Sequence, residues 1–191
     1  MSTLNSNSPV AVIGAGAMGA GIAQVAAQAG HPVQLYDNRP GAAAQALHGI
    51  DQQLGRLVDK GKLDAAERGA IGARLQPVES IEALADAQLV IEAIVENLQV
   101  KQDLLRQLEA LCTDDCILAS NTSSLSITSL AAGLRRPQRV IGMHFFNPAP
   151  VMALVETVSG LATDPQLAAR LYQLAKAWGK QPVHARSTPG F

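Results

Sequence analysis

A doubly wound α/β fold, a mostly parallel sheet with helices on both faces, is predicted by three observations. A short apolar run, Val10 to Ile13, passes into a glycine-punctuated turn and then a helix-forming segment. A second apolar run, Pro32 to Asp37, follows that helix and ends in an acid. Strand-like and helix-like segments then alternate to the end of the chain, the pattern of a parallel sheet joined by right-handed crossovers.

Taken in order, Met1 to Ser8 is polar and uncharged and is expected to fray as a disordered tail. Residues 9–37 form the first strand–helix–strand unit. Ile22, Val25, Ala26 and Ala29 give its helix an apolar face, Gly30 stops it and Pro32 blocks continuation. Residues 41–72 read as a projecting helical pair: Leu47, Ile50, Leu54 and Leu57 recur at helical spacing, Asp59 to Lys62 breaks the run, and Asp64 can cap a second helix. Arg74 to Val78 is a weak strand, Ser80 to Ala85 a short helix, and Asp86 to Ala93 holds a strand with Leu89, Val90 and Ile91 buried. Leu98 to Leu111 is a helix with Leu104, Leu108 and Leu111 on one side. Next come a strand at 117–120, a helix at 125–134, a strand at 140–144 and an extended segment at 151–158. Asp164-Pro165 starts a last helix, striped by Leu167, Leu171, Leu174 and Trp178 and ended by Gly179 before a short strand at 181–185.

The totals narrow the function. At 48% hydrophobic and 16% charged, the 191 residues suit a single globular domain. A net charge of -1 removes the electrostatic case for nucleic acid or an acidic membrane surface. No uninterrupted apolar run could span a membrane, and the N-terminus lacks a secretion signal. Cys112 and Cys116 have neither redox nor metal spacing; they read as reduced structural thiols, which fits a cytoplasmic setting with no metal site.

Gly14, Gly16 and Gly19 form a G-x-G-x-x-G turn: one glycine for the tight turn, one for close approach of a pyrophosphate, one for helix–sheet packing. The helix N-terminus behind them offers free N–H groups to phosphate. Asp37 lies where an acid is expected to take the ribose diol, which favours NAD, although Arg39 two residues on could attract a 2′-phosphate. Four further groups lie at carboxyl ends of strands: Glu92 to Lys101, Ser120 to Ser124, His144 to Pro148, and Glu156. Each has a plainer reading. Glu96 and Lys101 suit a surface ion pair, the serine run suits helix capping, and His144 suits a core histidine. If His144 and Glu156 lie side by side, the carboxylate fixes the imidazole tautomer and leaves a basic nitrogen free, as oxidation of an alcohol requires. Lys60 and Lys62, at the tip of the helical pair, read either as a solvated turn or as contacts for an anion.

These segments together resemble the NAD-binding domain of the L-3-hydroxyacyl-CoA dehydrogenase family. The matching stretches are Gly14 to Ala23, Glu92 to Lys101, Ser120 to Leu125, His144 to Met152 and Thr188 to Phe191, in the family's order. The resemblance implies a Rossmann-type domain over 9–187 and oxidation of a 3-hydroxyacyl-CoA to the 3-oxoacyl-CoA with NAD. It implies His144 as base, Glu156 as its support, Ser123 on the substrate oxygen and Asn147 in the active-site loop. Gly14, Gly16, Met18, Gly19, Asp37, Glu96, Lys101 and Asn121 are implied along the cofactor, and Lys60 or Lys62 on coenzyme A. Residues 188–191 are expected to begin a linker to a C-terminal helical domain, absent here, that carries an active-site Asn and the homodimer contact. The chain alone is therefore expected to bind NAD and turn over weakly or not at all. The N-terminal half is similar to the bacterial branch of phenylacetate breakdown, whose substrate is 3-hydroxyadipyl-CoA; other members act in fatty-acid β-oxidation. Three rival readings stand beside it: another β-hydroxyacid dehydrogenase with a lysine base, a non-catalytic dinucleotide-binding module, and a domain of a larger multifunctional β-oxidation protein.

Overall fold

The structure, a computed structural model, describes residues 4–188. Eight strands form one sheet in the order β3-β2-β1-β4-β5-β6-β7-β8. They are β1 (Val10–Ile13), β2 (Val33–Tyr36), β3 (Leu75–Val78), β4 (Leu89–Glu92), β5 (Ile117–Ser120), β6 (Val140–Phe145), β7 (Leu154–Ser159) and β8 (Gln181–Arg186). Every pair is parallel except β6 with β7. The chain builds outward from β1 to β3, then returns to β4 on the other side of β1. That reversal opens a crevice at the carboxyl ends of β1 and β4, where such sheets bind ligands.

Alternation along the strands sends residues to two cores. Val10, Val12, Ile91, Ile141, Met143 and Phe145 share one core with α1 (Ala17–Gln28), α2 (Ala42–Asp59), α3 (Ala65–Arg74) and α6 (Pro165–Ala177). Ala11, Ile13, Val90, Leu118 and Val140 face α4 (Leu98–Leu111) and α5 (Ile127–Leu130). The α6 stripe of Leu167, Leu171, Leu174 and Trp178 is buried as expected. The pair α2 and α3 docks through Ile50, Leu54 and Ile71, with Asp64 capping α3. At 1.5 Å per residue α2 runs about 27 Å, and the exposed turn at 59–62 lies at its far end.

Four expectations are corrected. Residues 4–8 are structured: Asn5 donates its N–H to Ser8 Oγ at 3.0 Å, and the Ser8 carbonyl accepts from the buried His31. Residues 1–3 and the expected linker at 189–191 lie outside the described residues. The expected helix at 125–134 is one turn, because Thr122 Oγ1 takes the N–H groups of Ser124 and Leu125 and delays the start to Ser126. Gly133, at φ +82°, lies in the turn that follows. The buried face of α4 runs through Lys101, Leu105 and Leu108 rather than through Leu104 and Leu111, because a buried carboxylate draws Lys101 inward. Extended structure begins at Leu154, not Val151, since Val151 and Met152 both donate to the Pro148 carbonyl in a turn.

Candidate active site

The glycine turn is shaped by contacts that exclude side chains. Gly14 has φ +102°, and a Cβ there would meet the Ala93 carbonyl at 2.6 Å; a Cβ on Gly19 would stand 1.6 Å from the Gly14 carbonyl. Gly16 differs. Its φ is -72° and a Cβ would meet nothing within 4 Å. Packing thus gives no reason for glycine at 16, whereas a phosphate pressed against the backbone does. Gly16 is also the N-cap of α1, with no side-chain cap and no acid in the first turn, so the N–H groups there face a site suited to an anion. Met18, in the same turn, is half-buried against the core. Asp37 closes this end: its Oδ2 accepts from Ala15 N at 2.7 Å. The hydrogen bond from Arg39 is the main cause that holds its carboxyl at about 2, well below the usual range. These residues fit the adenosine and pyrophosphate portions of NAD.

The second wall is the loop after β4. Lys101 is 1% exposed, and its ammonium sits 2.9 and 2.8 Å from the two oxygens of the fully buried Glu92. Ser120 donates to Glu92 Oε1 from the end of β5. Lys101 also lies 3.4 Å from Glu96 Oε2. Glu96 Oε1 in turn accepts from the Thr122 hydroxyl, Ser123 N at 3.1 Å and Ser124 Oγ at 3.3 Å. Burial pushes the Glu96 carboxyl up, but Thr122, the Lys101 charge and the Ser123 N–H outweigh it and bring it below its usual value. Glu96 and Lys101 are therefore not a surface ion pair. Lys101 is a buried internal brace, and Glu96 is the half-exposed group that grips the serine turn. Sequence reasoning misses Glu92, Ser120 and Thr122 as individual residues. The one local signal is an acid ending an otherwise apolar strand.

His144 and Glu156 are register partners across the antiparallel β6–β7 pair, so their side chains share a face. His144 Nδ1 lies 2.7 Å from Glu156 Oε2, both side chains being under one-fifth exposed. The Phe146 ring tilts against the imidazole at 4.5 Å between centroids. Nε2 makes no hydrogen bond among the described residues. Asn121 Oδ1 accepts from Phe145 N at 2.8 Å, which ties the serine turn to the end of β6 beside His144. The exposed Ser123 keeps its hydroxyl free of partners among the described residues. Asn147 is exposed ahead of a cis proline, and Lys60 and Lys62 are exposed at the helical tip, away from these contacts. A cleft of about 690 Å³ lies elsewhere, between α6 and β8 around Leu161 and Tyr172, and is lined by none of these residues.

Comparison with known proteins agrees with this geometry. Residues 9–188 match the family described as 3-hydroxyacyl-CoA dehydrogenase, NAD binding domain. Among curated proteins the chain is 54% identical to 3-hydroxyadipyl-CoA dehydrogenase of Escherichia coli over 95% of its length and 38% of that protein's. It is 47% identical to a probable 3-hydroxybutyryl-CoA dehydrogenase of Bacillus subtilis over 95% of its length and 63% of that protein's. A crystal structure of 3-hydroxybutyryl-CoA dehydrogenase from Escherichia coli K12 superposes with a TM-score of 0.95 at 53% identity, over 98% of this chain and 40% of that one. The chain thus spans between about two-fifths and two-thirds of these relatives. It belongs to the family of NAD-binding domains of 3-hydroxyacyl-CoA dehydrogenases.

Proposed function

We propose that this domain, within a longer protein, binds NAD and supplies the base that oxidises the 3-hydroxyl of an L-3-hydroxyacyl-CoA. The observation that carries the reading is the His144–Glu156 pair, set on the same carboxyl rim of the sheet as the glycine turn and Asp37. The glycine turn and Asp37 would hold NAD, which would supply the acceptor for the C3 hydride. His144 Nδ1–H donates to Glu156, which leaves Nε2 to take the hydroxyl proton while the carboxylate stabilises the imidazolium. Ser123 Oγ, a hydroxyl with no partner among the described residues on the turn gripped by Glu96, hydrogen-bonds the substrate oxygen. Asn147 holds the loop after the base. Lys60 and Lys62 are the cations available to coenzyme A phosphates. Residues 9–187 form the NAD-binding domain, 188–191 open a linker, and a second helical domain completes the site and the homodimer. A cytoplasmic setting fits the buried free thiols of Cys112 and Cys116. Relatives named for adipyl and for butyryl substrates match at 54% and 47% identity, so similarity over this domain does not sort acyl groups.

The test is a panel of 3-hydroxyacyl-CoA esters, adipyl and butyryl included, assayed with the full-length protein and NAD. His144→Gln is expected to lower kcat by about 10²- to 10⁴-fold while NADH binding persists, with Glu156→Gln intermediate. An unchanged rate in His144→Gln returns the choice to a lysine-based β-hydroxyacid dehydrogenase. No turnover of any ester by the full-length wild type leaves a binding module. Residues 1–191 alone are expected to bind NADH with little turnover.

A further inference from the structure

Asp37 and Arg39 form a closed unit at the ribose end of the crevice. Asp37 Oδ1 accepts from both the backbone N–H and the Nε of Arg39, at 2.9 and 3.0 Å, and Nη2 reaches Oδ2 at 3.3 Å. The carboxylate is enclosed, with 8% of its side chain exposed, whereas the Arg39 side chain is 69% exposed. Arg39 has no second partner among the described residues, so the one group neutralising this otherwise solvent-facing guanidinium is the acid expected to meet the ribose. A ribose diol and a 2′-phosphate want opposite charges at this place: an acid accepts from the diol, and an arginine binds the phosphate. Both occupy one short turn here, pinned to each other.

We propose that Asp37 and Arg39 act as a cofactor-selecting latch, with Arg39 forming a latent 2′-phosphate subsite that the Asp37 carboxylate keeps shut. Three effects of the latch act together against NADPH. The carboxylate repels the phosphate, it occupies the guanidinium fork, and it holds that fork against the β2 end. Neutralising the one carboxylate therefore removes the repulsion and turns a charge-assisted hold on the fork into a weaker neutral one, which frees the guanidinium to meet a phosphate beside the ribose. The inference rests on NAD occupying the crevice but not on the catalytic roles proposed above, and binding alone tests it.

NADH and NADPH are titrated into the chain, by nucleotide fluorescence and by calorimetry, for the wild type, Asp37→Asn, Arg39→Ala and the double variant. The wild type is expected to prefer NADH. Asp37→Asn is expected to bind NADPH at least about tenfold more tightly than the wild type does, the scale of one added charge-assisted hydrogen bond, and to bind NADH less tightly. The double variant is expected to lose that gain. Asp37→Ser serves if Asn disturbs the fold, with Trp178 fluorescence as the check on folding. An NADPH gain that persists without Arg39, or no gain in a folded Asp37 variant, overturns the latch. A wild type that binds neither nucleotide overturns the NAD reading and the latch with it, so the two failures are distinguishable.

Discussion

Two lysines are buried beneath this site, and the protein treats them in opposite ways. Lys101, under the loop after β4, meets the carboxylate of Glu92 at 2.8 Å and that of Glu96 at 3.4 Å. Lys180, under the turn after β6, meets no acid among the described residues; its ammonium donates to the carbonyls of Ala149 at 2.5 Å and Met152 at 2.9 Å. Burial accordingly pushes the Lys180 amine below its usual value. Both are braces. Lys101 joins α4 to β4 and to the loop after it through full charges, while Ser120 of β5 hydrogen-bonds the same Glu92, and together they set where Glu96 and the serine turn stand. Lys180 joins β8 to the 148–152 turn through neutral dipoles, and that turn also presses on α1 at Gly21, where a Cβ would stand 3.1 Å from Ala149. The base-bearing side of the crevice is thus held more loosely, by groups that cost less to part.

The sharpest way to break this contrast is Lys101→Met. It strands the Glu92 carboxylate in the interior, and about 3–5 kcal/mol of stability is expected to be lost in urea or thermal unfolding. Adding Glu92→Leu should restore most of it, since an apolar pair can replace a buried ion pair. Full stability in the single variant would mean that Glu92 has another counter-charge. Lys180→Met is expected to cost less, about 1–3 kcal/mol, with faster amide exchange at Val151 and Met152 whose turn it anchors.

The pH dependence separates the two lysines further. Lys180 has a lowered value in the folded state, so the unfolded chain binds more protons in the window just below the usual lysine value. Stability conferred through this group therefore rises with pH across that window, and wild type minus Lys180→Met should show the rise. The smallest effect expected is on the acid side. His31 is buried between Ser8 O at 2.9 Å and the Trp178 indole N–H at 2.9 Å, and burial lowers it. Its contribution is complete above the usual histidine value and is lost as pH falls toward the folded value. Urea unfolding followed by Trp178 fluorescence should show the wild type losing more stability than His31→Gln between pH 7 and pH 5; parallel losses would remove His31 as the cause.

Much of the fold was legible because its signals are local. Period-two and period-3.6 patterns place most strands and helices, Asp64 caps the helix it was expected to cap, and the helix expected to start at Asp164-Pro165 does so with Asp164 as its cap. The glycine spacing located the crevice. His144 and Glu156 were candidates twelve residues apart, but their pairing depends on an antiparallel register that strand patterns do not encode. The lysine at 101 shows the limit most clearly. On a helix surface a charged residue reads as solvent-facing, and its burial follows from an acid nine residues earlier on a different element. Likewise Ser8 looked like part of a loose tail until His31 closed on its carbonyl.

The amino-acid sequence by itself determined the alternation of strands and helices, the glycine turn and the acid that answers it, because each depends on neighbours within a few residues. Tertiary structure alone decided which charges face inward, which strand reverses direction, and which imidazole nitrogen stays free. Those are set by groups brought together from distant parts of the chain, where the cost of leaving a charge unpaired in the interior selects the partner.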